Sequence, residues 1–107
     1  MKTLKFRKKL SELILSGDKN TTWRLFDDKE LSVGDEVLFI VWETGEEFLK
    51  VKIIDTRETT FGNLTANDWD GHEKFDSEKE MYETYSRYYK QEVDENSPVK
   101  VIKFELV

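Results

Sequence analysis

Glu36 to Trp42 carries apolar side chains on both of its faces. Val37, Phe39 and Val41 lie on one, and Leu38, Ile40 and Trp42 on the other. Side chains alternate along a strand, so a strand that is apolar on both faces is built to be covered on both. This stretch therefore predicts a central strand rather than the edge of an open hairpin. The turn signal Val33-Gly34-Asp35 leads into it, and Glu43-Thr44-Gly45-Glu46 reads as a hairpin connection out of it. Phe48 to Thr60 then forms a second strand region, with Leu49, Val51 and Ile53 facing inward and Lys50 and Lys52 outward.

The flanking segments supply the remaining elements. Lys2 to Phe6 alternates loosely and predicts a short strand. Phe6, Leu10, Leu13 and Ile14 recur at helical spacing, which predicts a helix from about residue 7 to 16. Gly17 follows it, where a left-handed cap costs least. Residues 20–25 read as a strand with Thr21, Trp23 and Leu25 on one face and Thr22 and Arg24 on the other. That parity assigns Trp23 to the core and leaves the direction of Lys19, in the preceding turn, open.

Phe26 to Ser32 is a polar loop, and Phe61 to Phe75 an irregular connection with one helical turn at Leu64 to Trp69. Ser77 and Glu80 have the spacing of a capping box. The helix they open carries Met81, Tyr85 and Tyr88 at core spacing and ends near Tyr89. After a loop from Lys90 to Pro98, Val99 to Val107 is a last strand. Four or five mostly hairpin-connected strands with two helices predict an α+β domain on a curved sheet or partly closed barrel. At 107 residues the chain reads as one domain, 1–107.

Composition narrows the chemistry. There is no cysteine and a single histidine, so a thiolate site is excluded and no metal site or other cofactor is expected. No apolar run approaches the length of a membrane span, and Met1 to Phe6 lacks the apolar segment of a secretory signal. A soluble cytoplasmic protein, monomeric and without a membrane partner, is the expectation. The net charge of −6 is unevenly spread. Residues 1–24 hold seven Lys or Arg against two Asp or Glu, whereas residues 60–97 hold four against ten. A basic amino-terminal block of this kind can steer one phosphodiester but is too small for avid nucleic-acid binding. Alternatively, the two halves attract each other.

Usable chemistry concentrates in Gly17-Asp18-Lys19-Asn20-Thr21-Thr22-Trp23-Arg24. The pattern Gly17-x-Lys19-x-x-Thr22-x-Arg24, after an amphipathic helix and before a Val-Gly-Asp strand entry, resembles the signature of the ASCH domain family. The resemblance extends over essentially the whole chain. It implies a PUA-like small β-barrel of about five to six strands with two main helices. It also implies a cleft beside the first helix that binds RNA or a nucleotide. One branch of that family is an amidohydrolase that deacetylates N4-acetylcytidine with a Lys, a Thr and a Glu. Carried over by motif, these are Lys19, Thr22 and Glu73; a ribonuclease is a further possibility. Unlike that branch, this chain sets a Trp and a His near the Glu, in Asp68-Trp69-Asp70-Gly71-His72-Glu73.

Each residue has a plain role beside the functional one. Lys19 can grip an anion or pair with Asp18; as a general base it needs a pKa pulled from about 10.4 towards about 7–8. Thr22 can be a nucleophile or an ordinary strand residue. Arg24 can fork onto a ligand phosphate or pair internally with Glu73. Glu73 can act as an acid or only add to an acidic loop. Trp69, Asp70 and His72 are expected to contact the ligand, Trp69 by stacking on a base, worth about 1–3 kcal/mol. The expected partner is RNA or a modified nucleoside.

Overall fold

The computed structural model describes residues 1–27 and 29–107. Its strands are β1 (Lys2–Phe6), β2 (Thr21–Arg24), β3 (Glu36–Val41), β4 (Glu47–Thr60) and β5 (Pro98–Leu106). Helix α1 spans Lys8–Ser16, α2 Ala66–Trp69 and α3 Glu78–Tyr89. The strands form one mixed sheet in the order β1-β3-β4-β5-β2. The β1–β3 pair is parallel and the others are antiparallel. The sheet curls into a half-barrel, an α+β fold consistent with a PUA-like small barrel.

The curvature comes from β4. Its first half pairs with β3 and its second half with β5, with a register shift between Ile53 and Asp55. An irregularity of this kind bends the strand and increases its twist. The bend separates two cores. The first gathers Leu4, Phe6, Ile14, Val37, Phe39, Val51, Ile53, Ile102 and Phe104. The second gathers Trp23, Phe61, Met81, Tyr85, Val93, Val99 and Val101. Strand β5 feeds both: Val99 and Val101 face α3, while Ile102 and Phe104 face the first core.

Most predicted elements are present, with three corrections. Strand β3 is central, between β1 and β4, yet only Val37 and Phe39 are fully buried; Leu38, Ile40 and Val41 are half-buried and Trp42 lies exposed past the strand end. The second core sits over β5 and β2, too far along the sheet to cover the outer face of β3. The Ser77 capping box is only half made. Ser77 Oγ accepts the Glu80 N–H, but the Glu80 carboxylate takes the Asp76 N–H instead of that of Ser77. A complete box occurs at α2, where Thr65 and Asp68 cap each other. Tyr88, at core spacing on α3, is 45% exposed. Among the described residues no helix is long and apolar enough to cross a membrane, and no His, Cys, Asp and Glu cluster could hold a metal ion.

Candidate functional site

Gly17 ends α1 with a φ of 88° and returns its N–H to the Ile14 carbonyl. The chain then turns Lys19 inward, where it is 2% exposed. Its Nζ donates to the Thr21 carbonyl at 2.6 Å and to Glu73 Oε1 at 2.5 Å. Burial pushes the Lys19 pKa below its ordinary value; the Glu73 carboxylate opposes the shift and the charge of Arg24 adds to it. Asp18, the alternative partner, instead accepts from the Ser16 hydroxyl. Glu73 is thus paired with Lys19 and not with Arg24.

Glu73 reaches this position from 54 residues away because the loop before α3 is pinned to β2. The Gly71 carbonyl accepts the N–H groups of both Asn20 and Thr21. His72 is buried and stacks on Trp23, with ring centroids 3.6 Å apart and planes 14° from parallel. Its Nδ1 faces the Glu73 carbonyl at 2.8 Å, so Nδ1 carries the proton and donates. Nε2 accepts from the Tyr85 hydroxyl at 3.2 Å. Burial, helped by the nearby Lys19 charge, lowers the His72 pKa to about 2, leaving a neutral ring at physiological pH. Burial likewise raises the Tyr85 hydroxyl well above its ordinary value, which keeps it a donor.

Above this network opens a cleft of about 200 Å³. Thr22, Trp23, Glu73 and Tyr85 line it, together with Phe6, Leu10, Arg24 and Tyr89, and with Lys5, Arg7, Trp42 and Tyr88. As strand parity predicts, Thr22 and Arg24 share this side of β2. Among the described residues the Thr22 hydroxyl makes no hydrogen bond. Arg24 Nη2 donates to the Lys5 carbonyl at 3.2 Å and its guanidinium lies 4.9 Å from the Phe6 ring centroid. Its Nε is buried without a hydrogen-bond partner. Lys19 lies beneath the cleft and meets it through Glu73.

The other expected ligand contacts lie elsewhere. Trp69 is half-buried, edge-on to Trp23 at 4.6 Å, with the Lys74 ammonium 5.4 Å from its ring centroid. It packs against the second core and does not line the cleft. Asp70 acts through its backbone, its carbonyl accepting from the Thr21 hydroxyl at 2.8 Å. Asp70 and His72 border a separate groove with Lys9, Leu13 and Lys74, and Glu73 borders both that groove and the cleft. Sequence reasoning missed Trp42, which is 53% exposed. Its signal was a tryptophan at the last position of an apolar strand, directly before a hairpin turn.

A five-stranded half-barrel with a cleft over β2, between α1 and α3, is consistent with a PUA-like small-barrel domain, and solved structures share the fold. The ASCH domain from Lactobacillus crispatus superposes with a TM-score of 0.72 at 13% identity, over 98% of this chain and 79% of that one. An ASCH protein from Zymomonas mobilis gives 0.66 at 13% identity, over 96% and 67%. The hypothetical protein PH0355 matches over the full length of both chains, with a TM-score of 0.74 and 26% identity. The likeness to the two ASCH structures is one of fold. No family model matches the chain, and no curated protein matches it.

Proposed function

We propose that this chain is a nucleobase-binding ASCH domain whose ligand, RNA or a modified nucleoside, enters the cleft between α1 and α3. One observation carries the reading: Arg24 presents a buried, unpartnered Nε in a cleft whose wall includes the exposed rings of Trp42 and Tyr88. Apolar rings combined with few, fixed polar groups suit a flat heteroaromatic ligand. Binding of cytidine, N4-acetylcytidine and a short oligoribonucleotide, followed by calorimetry, tests this. Arg24→Ala and Trp42→Ala are each expected to weaken the complex at least tenfold. Equal binding by the variants, or no binding of any of the three ligands, would overturn it.

A second reading is favoured by the Lys19–Glu73 pair, whose carboxylate lines the same cleft as Thr22. In this reading the chain hydrolyses the amide of an acylated cytidine. Lys19 first passes a proton to Glu73 across their hydrogen bond, a transfer that burial of the ammonium favours, and then takes the Thr22 proton. Thr22 Oγ1 attacks the acyl carbonyl, and the amine leaves as Glu73 orients or protonates it. Water then cleaves the acyl-threonine ester and restores the hydroxyl. Arg24 or backbone amides would steady the oxyanion. Acetate release from N4-acetylcytidine by the wild type, lost in Lys19→Ala and Thr22→Ala, is the expected result. No release by a folded wild type would leave the binding reading alone.

A further inference from the structure

The cleft holds two guanidinium groups in an acidic protein, and neither has a carboxylate partner among the described residues. The sequence has 23 Asp and Glu against 17 Lys and Arg, so neutralising acids are in ample supply. Elsewhere the chain uses them: Arg57 pairs with Asp68, Lys100 with Asp27, Lys2 with Asp35 and Lys19 with Glu73. Arg7 and Arg24 are held by other means. Arg7 lies with its guanidinium 3.7 Å from the Trp42 ring centroid, and Arg24 donates to the Lys5 carbonyl and lies over Phe6. Arg24 thus rests on Lys5 and Phe6, the two residues directly before Arg7, where β1 passes into α1.

The stack on Trp42 is itself braced. Trp42 N–H donates to the Phe6 carbonyl at 2.8 Å. One residue on, the Glu43 carboxylate accepts the Lys8 N–H at 2.9 Å. These two bonds, one from backbone and one from the Glu43 side chain, clamp the β3–β4 turn that carries the Trp42 indole onto the start of α1. A guanidinium held through its face keeps its N–H edges free, and those edges match the oxygens of a phosphate. The one carboxylate lining the cleft, Glu73, is countered by Lys19. The cleft is cationic where the protein is acidic.

We propose that Arg7 and Arg24 form a phosphate-recognition pair on this cleft, Arg7 held ready by its stack on Trp42, so that the ligand is a phosphate-bearing nucleotide and not a free nucleoside. This rests on the nucleobase reading above and adds the group that the ligand must carry. The phosphate can belong to a free mononucleotide or to a phosphodiester of RNA.

Calorimetric titrations with cytidine, cytidine 5′-monophosphate, cytidine 3′-monophosphate and a tricytidine oligoribonucleotide, at low and high salt, separate these cases. At least one phosphate-bearing ligand is expected to bind tenfold or more tightly than cytidine at low salt, with the advantage shrinking as salt rises. Arg7→Ala should erase the advantage, and Arg7→Lys should restore only part of it. Arg7 is exposed, so circular dichroism is expected to show both variants folded. A mononucleotide as tight as the trinucleotide marks a free nucleotide as the ligand, and a preference confined to the trinucleotide marks RNA. Cytidine binding equal to all three phosphate-bearing ligands, or a phosphate advantage that survives Arg7→Ala, would overturn the phosphate pair alone. Absence of binding by all four would overturn the nucleobase reading with it.

Discussion

Lys19 Nζ lies 2.5 Å from Glu73 Oε1, joining the turn after α1 to the loop before α3 beneath the cleft. The lysine is almost wholly buried and the carboxylate keeps a small opening towards the cleft. This one contact holds an ammonium almost wholly out of solvent. A buried ion that loses its partner costs far more than the intact pair contributes, on the order of 3–5 kcal/mol.

Glu73→Gln is therefore expected to lower unfolding stability by about 3–5 kcal/mol, read from the denaturant midpoint at constant slope. Lys19→Met together with Glu73→Gln should cost less than the sum of the two single changes, because the double variant leaves no unpaired buried charge. Additive losses would mean that the two side chains do not depend on each other.

His72 sets a pH dependence whose sign is fixed. Its pKa falls from 6.5 to about 2 on folding, so the unfolded chain binds the extra proton between those values. The stability His72 contributes is complete above pH 6.5 and declines as pH falls, with a slope approaching about 1.4 kcal/mol per pH unit. Asp27, Asp35 and Asp68, whose pKa values are lowered from an unfolded value of 3.8, add their own losses only in more acidic solution. Chemical denaturation between pH 7 and 5 isolates the histidine. His72→Phe, which keeps a ring against Trp23, should flatten the slope there; an unchanged slope would refute the assignment.

Gly71 holds the Glu73 loop against β2, and two features require glycine. Its φ is +76°, and a Cβ there would lie 1.7 Å from Asn20 Oδ1. Gly45 shares the φ of +76° but has nothing within 4 Å of the same position. Both Gly→Ala changes incur left-handed strain of about 1–3 kcal/mol. Only Gly71→Ala also forces the exposed Asn20 side chain to swing away and give up its hydrogen bond from the Thr21 hydroxyl, a further cost of about 0.5–1.5 kcal/mol. Thermal unfolding of the two variants should place Gly71→Ala clearly below Gly45→Ala. Equal melting temperatures would show that the loop does not depend on this close approach.

What could be read from the sequence follows from the range of each signal. Helix α1 with its Gly17 cap, the shared face of Thr22 and Arg24, and the buried Trp23 are local periodicity and parity, and they were legible. The direction of Lys19 was not, because a turn residue has no parity and its partner lies 54 positions on. Trp69 read as a loop aromatic with nothing to pack on; the loop folds back onto β2 and gives it Trp23 as an edge-on neighbour. Trp42 had the opposite fate, since the second core stops short of β3 and leaves a residue with core-like alternation on the cleft wall. Arg7 was visible only as one charge in a basic block, because its stack depends on how the β3–β4 turn meets α1.

The proposed ligand site is the cleft between α1 and α3. An amide proton–nitrogen NMR titration with cytidine 5′-monophosphate and N4-acetylcytidine tests it most directly. Shift changes are expected to concentrate on Thr22 to Arg24, the Trp42 indole N–H, Glu73 and the Tyr85 to Tyr89 segment. No changes, or changes confined to the groove on the far side of α3 around Tyr82, Ser86 and Val93, would contradict it.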